Sequence, residues 1–408
     1  MQPRRFTLGF GPGLVSGASA NDPTTVGSIA VVGAATGYGL TWLVVLLLPM
    51  LAIVQAIAAS VAAASGMSLQ QAITRTCGRL PAIVSAAAIV SISLFTLGAD
   101  VAAGAQALAL LCGIPYYLLV VPIVAAGCWV LATKSYLRIE RVLASLTLIF
   151  LCYVASAILA RPNWGDVLHS IVLPHFSLTP VYLVGALALL GTTLTSYVYF
   201  WESIEIAERR AAGSEVRAAR YDAAIGMLVA GSSFLFILIA TAATSGMHHA
   251  AILTAAGAAA ALRPLAGGWD QRLFGVGLFA SAAIAIPVIS ATNGYVVAQL
   301  LDLPASLTLR PAQAPVFYRA IFLSLAFAGV LALLPIPMIS LLYWVSVAAG
   351  VATPITLTLT MIVAQNRELM RGRPIALPLA CSGWAIVAFV TLSAGSVLFV
   401  ALRPTLHL

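Results

Sequence analysis

The feature that most limits this chain is its alternation of long apolar runs with short polar junctions. The runs fall at 8–36, 39–65, 81–112, 114–133, 139–160, 180–207, 221–247, 272–301, 316–337, 338–364 and 376–402. Each approaches or exceeds the ~20 residues that carry a helix across a bilayer. Backbone groups in hydrocarbon must pair internally, so a spanning chain is either helical or a closed barrel. A barrel would be written in short segments of alternating polarity, and the runs here do not alternate. With 62% of residues hydrophobic and 8% charged, against about a quarter charged in a soluble domain, no water-soluble fold could cover itself. The expectation is an all-α polytopic membrane protein of about eleven transmembrane helices. The boundary at Pro335 and Pro337 is the least defined, because that pair is also compatible with one re-entrant turn.

The basic residues report topology. If the N-terminus is cytoplasmic, 16 of the 20 Lys and Arg fall at cytoplasmic ends, and Arg161, Arg263, Arg272 and Arg403 lie outside. That bias is the positive-inside pattern, and adding or removing one helix would destroy it. All five His (His169, His175, His248, His249, His407) then lie outside, as does the C-terminus. The adjacent pair His248-His249 is a weak metal candidate, since neighbouring His rarely share one ion. The location implied is a bacterial-type inner membrane. The N-terminal MQPRRFTLGF reads as a cytoplasmic lead-in rather than a signal peptide. The basic residues form no patch interleaved with aromatics, so nucleic acid is not an expected partner; the bilayer is. Cys77, Cys112, Cys128, Cys152 and Cys381 have no paired spacing and read as free thiols.

Inside a bilayer, ionisable residues and helix breakers carry the information. A charged side chain at the membrane centre costs roughly 2.5 kcal/mol or more. Of 12 Asp and Glu, only Asp22 and Asp100 lie well inside apolar runs. Asp22 opens Asp22-Pro23-Thr24-Thr25, near the middle of the first run. Pro23 removes a donor and disfavours helical geometry at Asp22. A break at that depth is tolerated where freed carbonyls face a cavity or a ligand. A carboxylate, two hydroxyls and unpaired carbonyls form an oxygen-rich cation site. The plainer alternative is a proline kink capped by the acid. A second interruption is expected in the sixth run, at Gly191-Thr192-Thr193-Leu194-Thr195-Ser196-Tyr197. Its hydroxyls are equally compatible with bonding back to the preceding turn. Five helices separate the two breaks, the pattern of an inverted repeat with a midplane site. Asp100 sits among small residues, Gly98 to Gly104, and suits a proton relay or a buried link between helices. Glu202, with Glu205, Glu208, Arg209 and Arg210, reads either as a solvated helix end or as part of an inner exit route.

These residues resemble the Nramp family (natural resistance-associated macrophage proteins, metal–proton symporters). The likeness begins at Gly11-Pro12-Gly13 and reaches Asp22-Pro23-Thr24-Thr25, where the family carries Asp-Pro-Gly-Asn. It continues through Gly33-Ala34-Ala35-Thr36-Gly37-Tyr38, Trp42 and Arg75, and recurs at Asp100, Gly113-Ile114-Pro115 and Asn366-Arg367-Glu368-Leu369-Met370. The resemblance implies a LeuT-like inverted repeat (5+5) with broken helices 1 and 6. It also implies one transporter domain over 1–408: helices 1–5 at about 8–160, helices 6–10 at about 180–364 and an extra helix at about 376–402. Asp22 matches the family's metal-binding aspartate. Thr25 stands where the family has a metal-binding asparagine, and Thr195 where it has a methionine. Ser196 and Tyr197 replace a Pro-His pair, and Glu202 replaces a second histidine. Ala352 falls where a glutamine is usual. Asp100 matches a helix-3 acid of the proton route, and Leu97 replaces the acid one turn earlier.

The implied ion site comprises Asp22, Thr25, Ser19, Thr192 and Thr195, with Asp100 and Glu202 on the proton or ion pathway and Pro23 and Gly191 at the breaks. Without the thioether the ligands are all oxygens, a set that suits hard ions such as magnesium or manganese. This resembles the Nramp-related magnesium transporters. The expected function is therefore secondary transport of a divalent cation, proton coupling being open, with the metal as cargo, no cofactor, no enzymatic step and a monomeric chain. The alternatives are a carrier of an organic cation or amino-acid-like solute of the same superfamily, and a membrane sensor. No Gly-rich loop ending in Gly-Lys-Ser/Thr is present, so gradients must drive transport.

Overall fold

The computed structural model describes residues 21–133, 151–174, 176–211, 231–244, 258–259, 262–263, 267–372 and 374–402. Among these, regular structure is helical. The helices are α1 (Pro23–Thr36), α2 (Thr41–Ser65), α3 (Leu69–Cys77), α4 (Arg79–Cys112), α5 (Tyr116–Ala132), α6 (Leu151–Leu159) and α7 (Trp164–Val172). They continue with α8 (Pro180–Thr193), α9 (Ser196–Ala211), α10 (Gly231–Thr244), α11 (Asp270–Leu300), α12 (Pro315–Ala332), α13 (Met338–Gln365) and α14 (Leu377–Leu402). Among the described residues, seven spans are long and apolar enough to cross a membrane, counting α8 and α9 as one.

The expected runs and these helices agree to within a few residues where both are described. The first run is described only from residue 21, the fifth only from 151 and the seventh only over 231–244; His175, His248, His249 and His407 lie outside the described residues. Pro335 and Pro337 lie in a turn between two full helices, α12 and α13, rather than in one re-entrant segment. Two elements were not expected, α3 and α7. Each has nine residues and one apolar face, so neither can span a bilayer and neither stands out as a long apolar run. α3 is fixed by a capping box, in which Ser68 and Gln71 satisfy each other's backbone N–H. α7 packs against α2.

Length decides what α1 and α8 can do. Each has 14 residues, about 21 Å at 1.5 Å per residue, against about 30 Å of hydrocarbon. Neither crosses alone, so each must end within the membrane. Both are buried among other helices rather than facing lipid: eleven residues of α1 and nine of α8 are buried. α1 packs on α8 and α13, and α4 packs along α11, α12 and α13. A backbone-to-backbone seam joins α8 to α13. A Cβ on Gly191 would overlap the Ser346 carbonyl oxygen and the Gly350 amide nitrogen. The backbones touch there, which only glycine permits.

Candidate functional site

The first break is built by its sequence. Asp22 has φ −64° and ψ 161°, the extended geometry expected before a proline, so no helix runs through it. Pro23 takes the first helical position, where its missing N–H costs nothing. The next two amides would be orphans at membrane depth. Thr25 N donates to Asp22 Oδ1 at 2.6 Å, and Thr24 N donates to Asp100 Oδ1 at 3.1 Å. Thr24 Oγ1 donates to the same Asp100 oxygen at 2.7 Å. Two buried acids thus satisfy the positive end of α1, where negative groups are favoured. Asn21 is also anchored: its side-chain oxygen accepts from Ser233 of α10 at 2.7 Å, and its carbonyl accepts from Ser281 of α11.

The second break lies between α8 and α9, at Leu194 and Thr195. Gly191 is therefore not at the interruption. It is helical, one turn earlier, and serves the contact with α13. No proline forces this break. α8 ends with a carbonyl-bearing last turn, the negative end of a helix, and α9 begins afresh at Ser196.

The two breaks meet. Tyr197, in the first turn of α9 and 1% exposed, donates its hydroxyl to Asp22 Oδ2 at 2.7 Å. Thr25 Oγ1 lies 2.9 Å from Thr192 Oγ1 and donates to the Thr192 carbonyl oxygen at 3.4 Å. Both Asp22 oxygens are thereby engaged, one from each broken helix. Such charge-assisted bonds are worth about 1.5–3 kcal/mol each, enough to offset the ~2.5–3.5 kcal/mol cost of a carboxylate at a helix centre.

Of the residues singled out in the sequence, Asp22, Thr25, Thr192 and Pro23 are brought into direct or one-residue contact. Thr195 is buried in the second break itself. Asp100 joins through Thr24, and its Oδ2 has no hydrogen-bond partner among the described residues. Glu202 is 1% exposed, so it is no solvated helix terminus. It lies five residues beyond Tyr197 on α9. Ser19 lies outside the described residues. Sequence reasoning missed the role of Tyr197, noted only as a replacement, and missed the anchoring of Asn21. The one signal for Tyr197 was a large hydroxyl-bearing residue within a stretch of small ones.

The family model for natural resistance-associated macrophage protein-like (Nramp) sequences matches residues 13–400. The chain belongs to the Nramp family. Membership places it among multi-pass membrane transporters rather than enzymes. A Mycobacterium tuberculosis protein named divalent metal cation transporter MntH is 28% identical over 71% of this chain and 69% of its own. A Mesorhizobium japonicum protein of the same name is 30% identical over 68% of this chain and 64% of its own. Among solved structures, a variant of the Eremococcus coleocola manganese transporter superposes with TM-score 0.77 at 19% identity, covering 94% of this chain and 84% of that one. The nucleobase-cation symporter MHP1 follows with TM-score 0.60 at 14% identity, covering 96% and 89%. Both are likenesses of fold, that of the Nramp and LeuT-type transporters with broken helices 1 and 6.

Proposed function

We propose that this Nramp protein is a secondary transporter of divalent metal cations with a preference for hard ions, magnesium or manganese. The observation that carries the reading is the meeting of both helix breaks on Asp22, with Thr25 and Thr192 beside it. The ion site comprises Asp22, Thr25, Thr192, Thr195 and the backbone oxygens around Ser19 and Thr192. Every ligand is an oxygen, and none has the soft sulfur that favours cadmium or iron. Ligands drawn from the edges of a gap leave room for part of a water shell, which magnesium keeps. The negative end of α8 adds to the attraction for a cation.

Asp100 and Glu202 form the route for a proton or a departing ion. Asp100 is hydrogen-bonded to the residue between Pro23 and Thr25, so a change in its charge reaches the ion site through Thr24. The named function of the MntH relatives supports a metal cargo. An anionic or zwitterionic organic substrate is disfavoured, because such carriers hold the substrate carboxylate on free amides at the break. Here the amides of Thr24 and Thr25 are already taken by acids.

The domain reading is one transporter unit over 1–408, with repeats at about 8–160 and 180–364 and a last helix at about 376–402. The protein acts as a monomer in an inner membrane, its N-terminus cytoplasmic and its C-terminus outside. Uptake by reconstituted vesicles, with magnesium, manganese and cadmium in parallel, tests the assignment. Expected is uptake of magnesium or manganese by the wild type and none by Asp22→Ala. Equal uptake by the two proteins would end the assignment.

A further inference from the structure

Two sequence segments have no part in the ion site: Arg75 and the stretch Asn366 to Met370. Arg75, Asn366, Glu368 and Leu369 from these segments, with Arg371 just beyond, line one cavity of about 300 Å³, at the end of the bundle we assign to the cytoplasm. Arg75 comes from the last turn of α3, and Arg371 from the turn after α13. Neither guanidinium has a carboxylate within 4.0 Å among the described residues. Glu368 also lines the cavity and pairs with neither.

The turn that carries Arg371 is a built one. Asn366 Oδ1 accepts from Leu369 N at 2.9 Å, Met370 N donates to the Asn366 carbonyl at 3.0 Å, and Gly372 N donates to the Arg367 carbonyl at 2.8 Å. Within it Arg371 takes φ 51°, a left-handed conformation usually left to Gly or Asn. An arginine is thus held at a backbone position that glycine would occupy without strain. Placement on the cytoplasmic side needs only a positive charge somewhere near the surface. It does not require two exposed arginines from distant segments to line one polar cavity with no carboxylate paired to either. Arg75 also suits the C-terminal end of α3, but that accounts for neither Arg371 nor the cavity.

We propose that this cavity binds a phosphate group, held between Arg75 and Arg371. Guanidinium forks match the oxygens of a phosphate in pairs. The volume admits a phosphoryl group with a small organic substituent. The source is either the headgroup of an anionic phospholipid or a free phosphate ester or ion in the cytosol. Glu368 opposes binding by like charge and tunes its strength. The site is separate from Asp22, and its existence does not depend on the identity of the transported ion.

The full-length chain purified in detergent provides the test. Two probes are used: native mass spectrometry with phosphatidylglycerol against phosphatidylcholine, and thermal stabilisation by inorganic phosphate against chloride at equal ionic strength. Expected is at least a fivefold preference for the anionic lipid, or stabilisation by phosphate, or both. The double variant Arg75→Gln/Arg371→Gln should lose it, and Glu368→Gln should strengthen it. Lipid preference alone identifies a headgroup; phosphate competing with the lipid identifies a soluble ligand. The double variant is compared only after it matches the wild type in elution and in melting without phosphate. If it fails to fold, Glu368→Gln decides. No selectivity in the wild type, equal binding by the double variant, or no gain from Glu368→Gln would overturn the proposal.

Discussion

The two helix breaks occupy equivalent places and are made by different means. At the first, Pro23 and Asp22 leave the chain no choice: the proline forbids a helical turn before it, and the aspartate caps α1. At the second, Gly191 to Ser196 contain no proline, and Thr193 even bonds back to Leu189 as a helical threonine would. α8 ends there because of its surroundings: the Gly191 backbone is pressed against α13, while Tyr197 and Thr192 are drawn to Asp22 and Thr25. One break is local chemistry and the other is tertiary. The difference teaches where substitutions will act. Changes at the first should alter chemistry with little rearrangement, and changes at the second should alter stability or selectivity.

The largest effect is expected at the first break. Asp22→Ala should abolish metal-dependent uptake in vesicles, while the protein still folds, since loss of an N-cap costs only about 1 kcal/mol. Substantial residual uptake would mean that the carboxylate is a cap and nothing more. Gly191→Ala is next, and it probes the second break through its support. A methyl group would collide with α13 backbone, and overpacking of this kind costs about 1–3 kcal/mol. Melting in detergent should fall by several degrees, and an unchanged melting point would disprove the backbone contact.

Tyr197→Phe sharpens the link between the breaks. It removes the hydroxyl on Asp22 Oδ2, freeing that oxygen for the ion. Calorimetric affinity for magnesium or manganese should tighten by about tenfold or less, the equivalent of one hydrogen bond of ~1.5 kcal/mol. A weaker affinity would make the phenol oxygen a ligand in its own right. The smallest effect is expected of Thr195→Met, which adds a thioether within the second break. It should raise affinity for cadmium relative to magnesium, as a softer ligand would. An unchanged ratio would show that position 195 does not face the ion.

Much of the architecture was legible because membrane helices are written in composition. Runs of apolar residues located the spanning helices to within a few residues wherever both are described. α3 and α7 escaped, because a nine-residue helix with one polar face has no such signature. At the site, Asp22, Pro23 and Thr25 were readable from local rules. The second break was placed in the right stretch, but its point, Leu194 and Thr195 rather than Gly191, depends on helices distant in sequence. The pairing of Tyr197 with Asp22, and of Thr24 with Asp100, spans 175 and 76 residues. No local rule connects them. Burial of Glu202 was likewise hidden, because a charged cluster at a helix end looks the same whether or not another helix covers it.

Gly191 and Gly350 leave no gap between α8 and α13. A helix end pressed onto the middle of another helix cannot swing away from it, so a rearrangement that uncovers Asp22 carries the last turn of α8 along with α13. Leu194 and Thr195 are then the non-helical joint before α9, and α9 is tied to the same partner, because Ser196 and Tyr199 bond Thr356 of α13.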